Sequence, residues 1–229
     1  INFNQLLKTK FDRIIISPGI NILECKLSKF LKKNFSKIYT DLDVFCSFYD
    51  NKSIAITGSN GKSTTAKILY EVLFDQKRDV RLIGNIGNPA LSEKKISKKT
   101  LFVIEASSYQ LDYSKIFSSK YAAILNISAD HIERHKSLAN YVNAKFKLLD
   151  SQTRQSFAYV KKNDKIITKR LKKKKFKPKI YKVDTSSINK TLNQLNNTYF
   201  TSEGNKENLS FVLKIVSKLK LNNTKLIKT

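Results

Sequence analysis

Apolar residues in this chain fall into two rhythms. Residues 53–57, 101–105 and 122–127 are short, nearly continuous apolar runs, which predict strands covered on both faces. Between them, residues 64–74 set Ile68, Leu69, Val72 and Leu73 on one side, and residues 138–149 set Leu138, Tyr141, Val142, Phe146 and Leu149 along one stripe, the spacing of amphipathic helices. The first fifty residues predict a strand at 13–17, a turn at Ser17-Pro18-Gly19, a helix at 24–33 and a strand at 37–40, and a further strand is expected near 80–83. After Asp150 the pattern thins to strands around Tyr159-Val160 and at 180–183, and a helix at 207–219. Strands alternating with helices imply an α/β fold, a mostly parallel sheet with helices on both faces. The polar break Asp50-Asn51-Lys52 divides it into segments 1–50 and 51–222, with 223–229 left as a stub.

A chain of 229 residues, 41% hydrophobic, can bury a sizeable core. Its net charge of +26 invites a nucleic-acid reading, but lysine far outnumbers arginine, tryptophan is absent, and the excess is spread over most segments. Only Lys169-Arg170-Leu171-Lys172-Lys173-Lys174-Lys175 is dense, and such a run reads as a solvated face or loop. Neither a nucleic-acid nor a membrane partner is expected. Cys25 and Cys46 have neither metal-ligand spacing nor a disulfide framework, and read as small buried or half-buried residues in a reducing compartment. No apolar run is long enough to cross a bilayer and no signal peptide is visible. Because the chain opens at Ile1 and contains no methionine, it is expected to be part of a longer protein.

The chemistry concentrates where strands end. Residues 54–57 run into Gly58-Ser59-Asn60-Gly61-Lys62-Ser63-Thr64 and then into a helix. Glycines 58 and 61 permit close approach of the backbone to an anion, and the helix N-terminus adds partial positive charge. Lys62 can reach outer phosphates, and the hydroxyl of Ser63 or Thr64 can ligate the magnesium that accompanies ATP. The loop is a shortened form of the phosphate-binding pattern, since Ile56 stands where the strict form has glycine. The strand at 101–105 delivers Glu105, and the strand ending near Ile127 delivers Asp130 and His131; in a parallel sheet these ends converge. Glu105 is suited to magnesium and His131 to a second cation, while His135 could be either a site residue or a core histidine. Lys145 lies on the apolar stripe of its helix, and an inward lysine is costly unless paired; it either snorkels to the surface or is buried with a lowered pKa.

These segments, with Gly84-Asn85-Ile86-Gly87-Asn88-Pro89-Ala90-Leu91, Glu105-Ala106-Ser107-Ser108-Tyr109-Gln110-Leu111, and Asn126 through Arg134-His135, resemble the Mur ligases. The resemblance runs from about residue 11 to 147 and resumes weakly at Gly204-Asn205-Lys206-Glu207-Asn208. It implies a P-loop-type central domain after part of a Rossmann-like domain, and an ATP-dependent cytoplasmic ligase, acting as a monomer, that joins D-glutamate to UDP-N-acetylmuramoyl-L-alanine through an acyl phosphate. The implied roles are phosphate neutralisation for Lys62, a first magnesium on Ser63 and Glu105, and a second on His131 and a carbamylated Lys145. Further, Asn85 and Ser107 would orient the muramoyl end, Ser17, Pro18 and Gly19 the uridine nucleotide, and Asn205 and Asn208 the adenine. Gly204 stands where the family usually has a histidine. With the start of the first domain and the acceptor domain outside it, the chain is expected to bind nucleotide better than it catalyses. Another amino-acid ligase of the same superfamily, or a basic binding module on a nucleotide fold, are the competing readings.

Overall fold

The computed structural model describes residues 3–188, 192, 198–219 and 221; the 223–229 stub lies outside them. Helix α1 (Phe3–Lys8) leads into strand β1 (Ile14–Ile15), and helix α2 (Ser28–Lys33) connects this to β2 (Ile38–Tyr39), which pairs with β1 in parallel. The chain continues through α3 (Asp41–Phe48), β3 (Ser53–Thr57), α4 (Lys62–Asp75), β4 (Val80–Gly84), β5 (Leu101–Glu105), α5 (Ser108–Tyr113), β6 (Tyr121–Ile124), α6 (Ile132–His135), α7 (Leu138–Asp150), β7 (Phe157–Lys161), α8 (Lys165–Lys173), β8 (Lys179–Val183) and α9 (Glu203–Lys218). Strands β3 to β8 form one sheet in the order β4-β5-β3-β6-β7-β8, every pair parallel.

The continuous apolar runs are explained by cover on both sides. Ile54 and Ile56 of β3, Val103 of β5 and Ala123 of β6 pack against Leu69, Val72 and Leu73 of α4 and Phe211, Val212 and Ile215 of α9. The alternate residues Ala55, Phe102, Ile104, Ala122 and Ile124 pack against Leu42 and Phe45 of α3 and Tyr141, Phe146 and Leu149 of α7. Helices therefore lie on both faces, as the alternation implies. The β1–β2 pair has a smaller core of Ile16, Ile22, Leu31 and Ile38, closed by Tyr113 of α5.

Several boundaries differ from the sequence reading. The helix foreseen at 24–33 begins only at Ser28, because the amides of Glu24 and Cys25 turn back onto the Asn21 carbonyl. The 13–17 strand is ordered as strand only at 14–15, and the 122–127 strand ends at Ile124, where the chain leaves the sheet to serve the loop described below. Helix α3 was not foreseen. A capping box starts it: Thr40 Oγ1 accepts from the Asp43 amide, while Asp43 accepts from the Thr40 amide. Although it falls within the first fifty residues, α3 buries Leu42 and Phe45 in the larger core.

Asp43 does more than cap. Fully buried, it accepts from Ser114 Oγ at 2.7 Å and from the amides of Ile116 and Phe117 at 2.7 and 2.8 Å, pinning α3 to the loop after α5.

The lysine-rich run is helix α8, capped by Asp164, which accepts from the Ile167 amide. Ile167 is buried while Lys169, Lys172 and Lys173 are exposed, so the solvated face is present on a helix. No helix among the described residues is long and apolar enough to cross a membrane.

Candidate nucleotide-phosphate site

Strand order reverses around β3: the chain goes to one side for β4 and β5 and to the other for β6. The register sets Gly84 beside Glu105, Glu105 beside Ile56, and Ile124 beside Thr57, so four carboxyl ends open on one crevice. Ligands of open parallel sheets bind at such a point.

Residues 58–61 cross this crevice before α4. Gly61 has φ +80°, and a Cβ there would come within 2.2 Å of Asn208 Oδ1. Lys62 Nζ donates to the Ser59 carbonyl at 2.8 Å, curling over the loop. The segment after β6 holds the loop from the side. The Asn126 carbonyl accepts from the Ser59 amide and Asn126 Oδ1 from the Asn60 amide, both at 2.9 Å, and Ser59 Oγ accepts from the Ser128 amide at 3.0 Å. Behind it, Thr65 Oγ1 donates to Asn208 Oδ1 at 3.1 Å, and Asn126 Nδ2 donates to Glu207 Oε1 at 2.7 Å. Asn60 and Ser63 are exposed, Thr64 is half-buried, and Gly58 and Ser59 are buried.

Glu105 is 1% exposed. Its Oε1 accepts from Asn85 Nδ2 at 3.0 Å, while Oε2 is buried without a hydrogen-bond partner among the described residues. A buried oxygen left unmatched is expensive, and at the mouth of a phosphate loop it suits a cation. Among the described residues no three acidic, histidine or cysteine side chains cluster as a self-contained cation cage. A cation at Glu105 would therefore need oxygens from a hydroxyl and a ligand as well.

Of the two outcomes open to Lys145 on its apolar stripe, the structure has burial: the side chain does not snorkel. Its Nζ donates to the Gly58 carbonyl at 2.7 Å and sits 4.5 Å from the centre of the Tyr141 ring. Burial, helped by the charge of Lys62, pushes its pKa down to about 7, against the pull of Asp130 and Glu105. These four groups thus share one electrostatic neighbourhood. Because the folded value lies below the unfolded one, the unfolded chain binds the extra proton between them, and this cost to folding is full below about pH 7 and fades as pH rises towards the ordinary lysine value. Lys145→Met is expected to raise the melting temperature by several degrees near neutrality, with the gain shrinking as thermal melts are moved to alkaline pH; a pH-independent gain would contradict this assignment.

His131 begins α6 with φ +51°, is partly exposed, and lies between Asp130 at 3.4 Å and Glu133 at 3.8 Å, its ring 5.2 Å from that of Tyr109. His135 is a core histidine: buried, with Nε2 3.0 Å from Ser108 Oγ. Burial depresses its pKa, opposed by Asp112.

Ser107 and Asn208 both have hydrogen-bond partners within the chain. Ser107 caps α5, its Oγ accepting from the Gln110 amide and donating to Gln110 Oε1, so its hydroxyl is engaged within the helix start. Asn208 is buried behind the loop, where its Oδ1 accepts from Thr65 Oγ1 and braces the start of α4. Asn205 is half-buried and donates from Nδ2 to the Tyr199 carbonyl at 2.8 Å. Beside it, a side chain at Gly204 would meet nothing within 4 Å. Ser17 and Gly19 are exposed and Pro18 is half-buried, on the turn after β1.

Sequence reasoning overlooked Tyr141, whose hydroxyl lies 3.0 Å from Ser59 Oγ, and the Glu207 brace. A tyrosine at a core position needs a polar partner, and that was the available signal.

Sheet, loop and buried carboxylate together define an α/β protein of the nucleotide-phosphate-binding class. A family profile described as the Mur ligase middle domain matches residues 56–225, and the chain belongs to that family. It is 39% identical over 153 residues to a UDP-N-acetylmuramoylalanine--D-glutamate ligase of Rickettsia bellii, covering 65% of this chain and 33% of the relative. The enzyme of the same name from Clostridioides difficile is 34% identical over 158 residues, covering 68% of this chain and 35% of the relative. The chain thus spans about a third of the length of these curated relatives. Among solved structures, a UDP-N-acetylmuramate:L-alanyl-gamma-D-glutamyl-meso-diaminopimelate ligase from Neisseria meningitides superposes with TM-score 0.55 at 16% identity, covering 78% of this chain and 60% of the other, a likeness of fold.

Proposed function

We propose that this chain is the ATP-binding part of a cytoplasmic ligase that joins D-glutamate to UDP-N-acetylmuramoyl-L-alanine in peptidoglycan precursor synthesis, with residues 1–50 contributing to the nucleotide-sugar side and 51–222 forming the ATP unit. The observation that carries the reading is the buried, unmatched Glu105 Oε2 at the mouth of a glycine-lysine-hydroxyl loop.

In such a reaction a substrate carboxylate oxygen attacks the γ-phosphorus and ADP leaves. The amine of the incoming amino acid then attacks the acyl carbon, and phosphate departs as the amine loses a proton. Phosphoryl transfer asks a protein chiefly for positioning and charge. With the Ser59 and Asn60 amides taken by Asn126, the amides from Gly61 into the first turn of α4 cradle the phosphates, and Lys62 exchanges its bond to the Ser59 carbonyl for the outer phosphate oxygens. Ser63 and Glu105 fit magnesium, which when bound neutralises charge between the outer phosphates. His131 and Lys145 fit a second ion only if Lys145 carries a carboxyl group, because as an amine it donates to the Gly58 carbonyl; an amine with a pKa of about 7 is neutral often enough to be carbamylated. On this reading Asn85, which donates to Glu105 Oε1, and Ser107 orient the muramoyl end. By the same reading the turn at Ser17, Pro18 and Gly19 faces the uridine nucleotide, and Asn205 with Asn208 faces the adenine.

Calorimetric titration with Mg-ATP tests the reading. Saturable binding is expected, and Glu105→Gln is expected to weaken it about tenfold with magnesium present but little in chelator, the loss of one charged ligand. Folded protein that takes up no Mg-ATP would overturn the reading. Steady ADP release dependent on both other substrates is expected to be nearly absent from the chain alone.

A further inference from the structure

Arg134 stands where the two sheets meet, and nothing in the ATP reading uses it. Its guanidinium donates to the carbonyls of Pro18 at 3.2 Å, of Gly19 at 3.3 Å and of Ile20, and to Tyr113 Oη at 3.3 Å. It also lies 4.8 Å from the centre of the Tyr109 ring. Three carbonyls aimed at one cation make a built clamp, because the planar fork of arginine satisfies several acceptors at once.

The same stretch of backbone is fastened at its other end to the phosphate loop. Asn126 takes the amides of Ser59 and Asn60, and Ser128 exchanges hydrogen bonds with Ser59 Oγ. From there the chain reaches His131, whose carbonyl accepts from the amides of Arg134 and His135. Only residues 129–133 separate the loop's side brace from the clamp. The turn at 17–20 is otherwise thinly held: the Ile20 amide bonds the Ser17 carbonyl at 3.0 Å, and the Ile22 amide meets Tyr113 Oη at 3.4 Å.

We propose that Arg134 is a positioning residue that sets the 17–20 turn against the phosphate loop, so that nucleotide on the loop stiffens the turn facing the second, nucleotide-sugar substrate. This rests on the reading of residues 58–64 as the ATP loop. Ordering the loop orders Asn126 and Ser128, these fix α6, and the guanidinium carries that order into the turn. The two substrates are thereby coupled before any chemistry.

The test is amide hydrogen exchange at Ile20 and Ile22, with and without Mg-ATP, on the wild-type chain, Arg134→Ala and Arg134→Lys, each checked for fold by circular dichroism and for Mg-ATP binding by calorimetry. In the wild type, nucleotide is expected to slow exchange at both amides about fivefold or more, the low end of ordinary coupling between sites. In Arg134→Ala that ratio is expected to fall to about 1, and Arg134→Lys, with one compact ammonium for three carbonyls, is expected to keep only a small part of it. A merely structural staple would speed exchange equally with and without nucleotide and leave the ratio unchanged. An unchanged ratio in Arg134→Ala, or no slowing in wild type that does bind Mg-ATP, overturns the coupling and leaves the ATP reading intact. Failure of the wild type to bind Mg-ATP overturns both.

Discussion

Asp43→Ala is expected to lower the unfolding free energy by about 3–5 kcal/mol, because five donors lose this acceptor together, and the hydrogen bonds from Thr40 N and Phe117 N are buried. Those donors are Thr40 N, Ser114 Oγ and the amides of Lys115, Ile116 and Phe117. Asp43→Asn keeps the shape but turns one acceptor into a donor facing the Thr40 amide, so it should recover only part of the loss. Burial works to raise the Asp43 pKa, but the hydrogen bonds from Ser114 and from the Thr40, Phe117 and Ile116 amides outweigh it and hold it below the usual range. A carboxyl depressed in the folded state stabilises above its unfolded pKa, and that contribution is lost as pH falls through the folded value. Urea melts should therefore show the full gap between wild type and variant at neutral pH and a narrower one in acid below about pH 4. A gap that stays constant into acid would show that the charge is not what Asp43 contributes.

Gly61→Ala is expected to weaken Mg-ATP binding at least about a hundredfold, equivalent to about 3 kcal/mol. Two penalties combine at this position. The backbone sits at φ +80°, where a Cβ is strained by about 1–3 kcal/mol. The added carbon would also lie 2.2 Å from Asn208 Oδ1, and Asn208 cannot retreat without abandoning Thr65. Calorimetry on folded variant checks this, and the pair Gly61→Ala with Asn208→Ala separates the contributions: relief of the clash should recover affinity only in part. Near-normal affinity in Gly61→Ala alone would show that the loop does not need this conformation.

The central sheet was legible because its strands are covered on both sides and so read as unbroken apolar runs, and the phosphate loop was legible because glycine, lysine and hydroxyl must follow a strand in that order. Lys145 was legible as an anomaly, a lysine on an apolar stripe. What escaped depends on partners distant in sequence. Helix α3 is fixed by Asp43 gripping residues 114–117, about seventy positions away, and no local pattern announces such a contact. Helix α8 hid inside its own charge, with only Ile166, Ile167 and Leu171 marking the face turned to the core. The contact of Asn208 with Thr65 depends on the packing of α9 against α4, a tertiary fact that no local pattern announces.

The support that Glu207 and Asn208 give to the phosphate loop and to Thr65, which lies 143 positions before Asn208, has a bearing on biosynthesis. A ribosome adding residues at ordinary speed needs on the order of ten seconds to travel from the loop to its brace. Through that interval the loop lacks Glu207 and Asn208, so on the proposed reading a braced site for triphosphate is completed only near the end of this segment's translation.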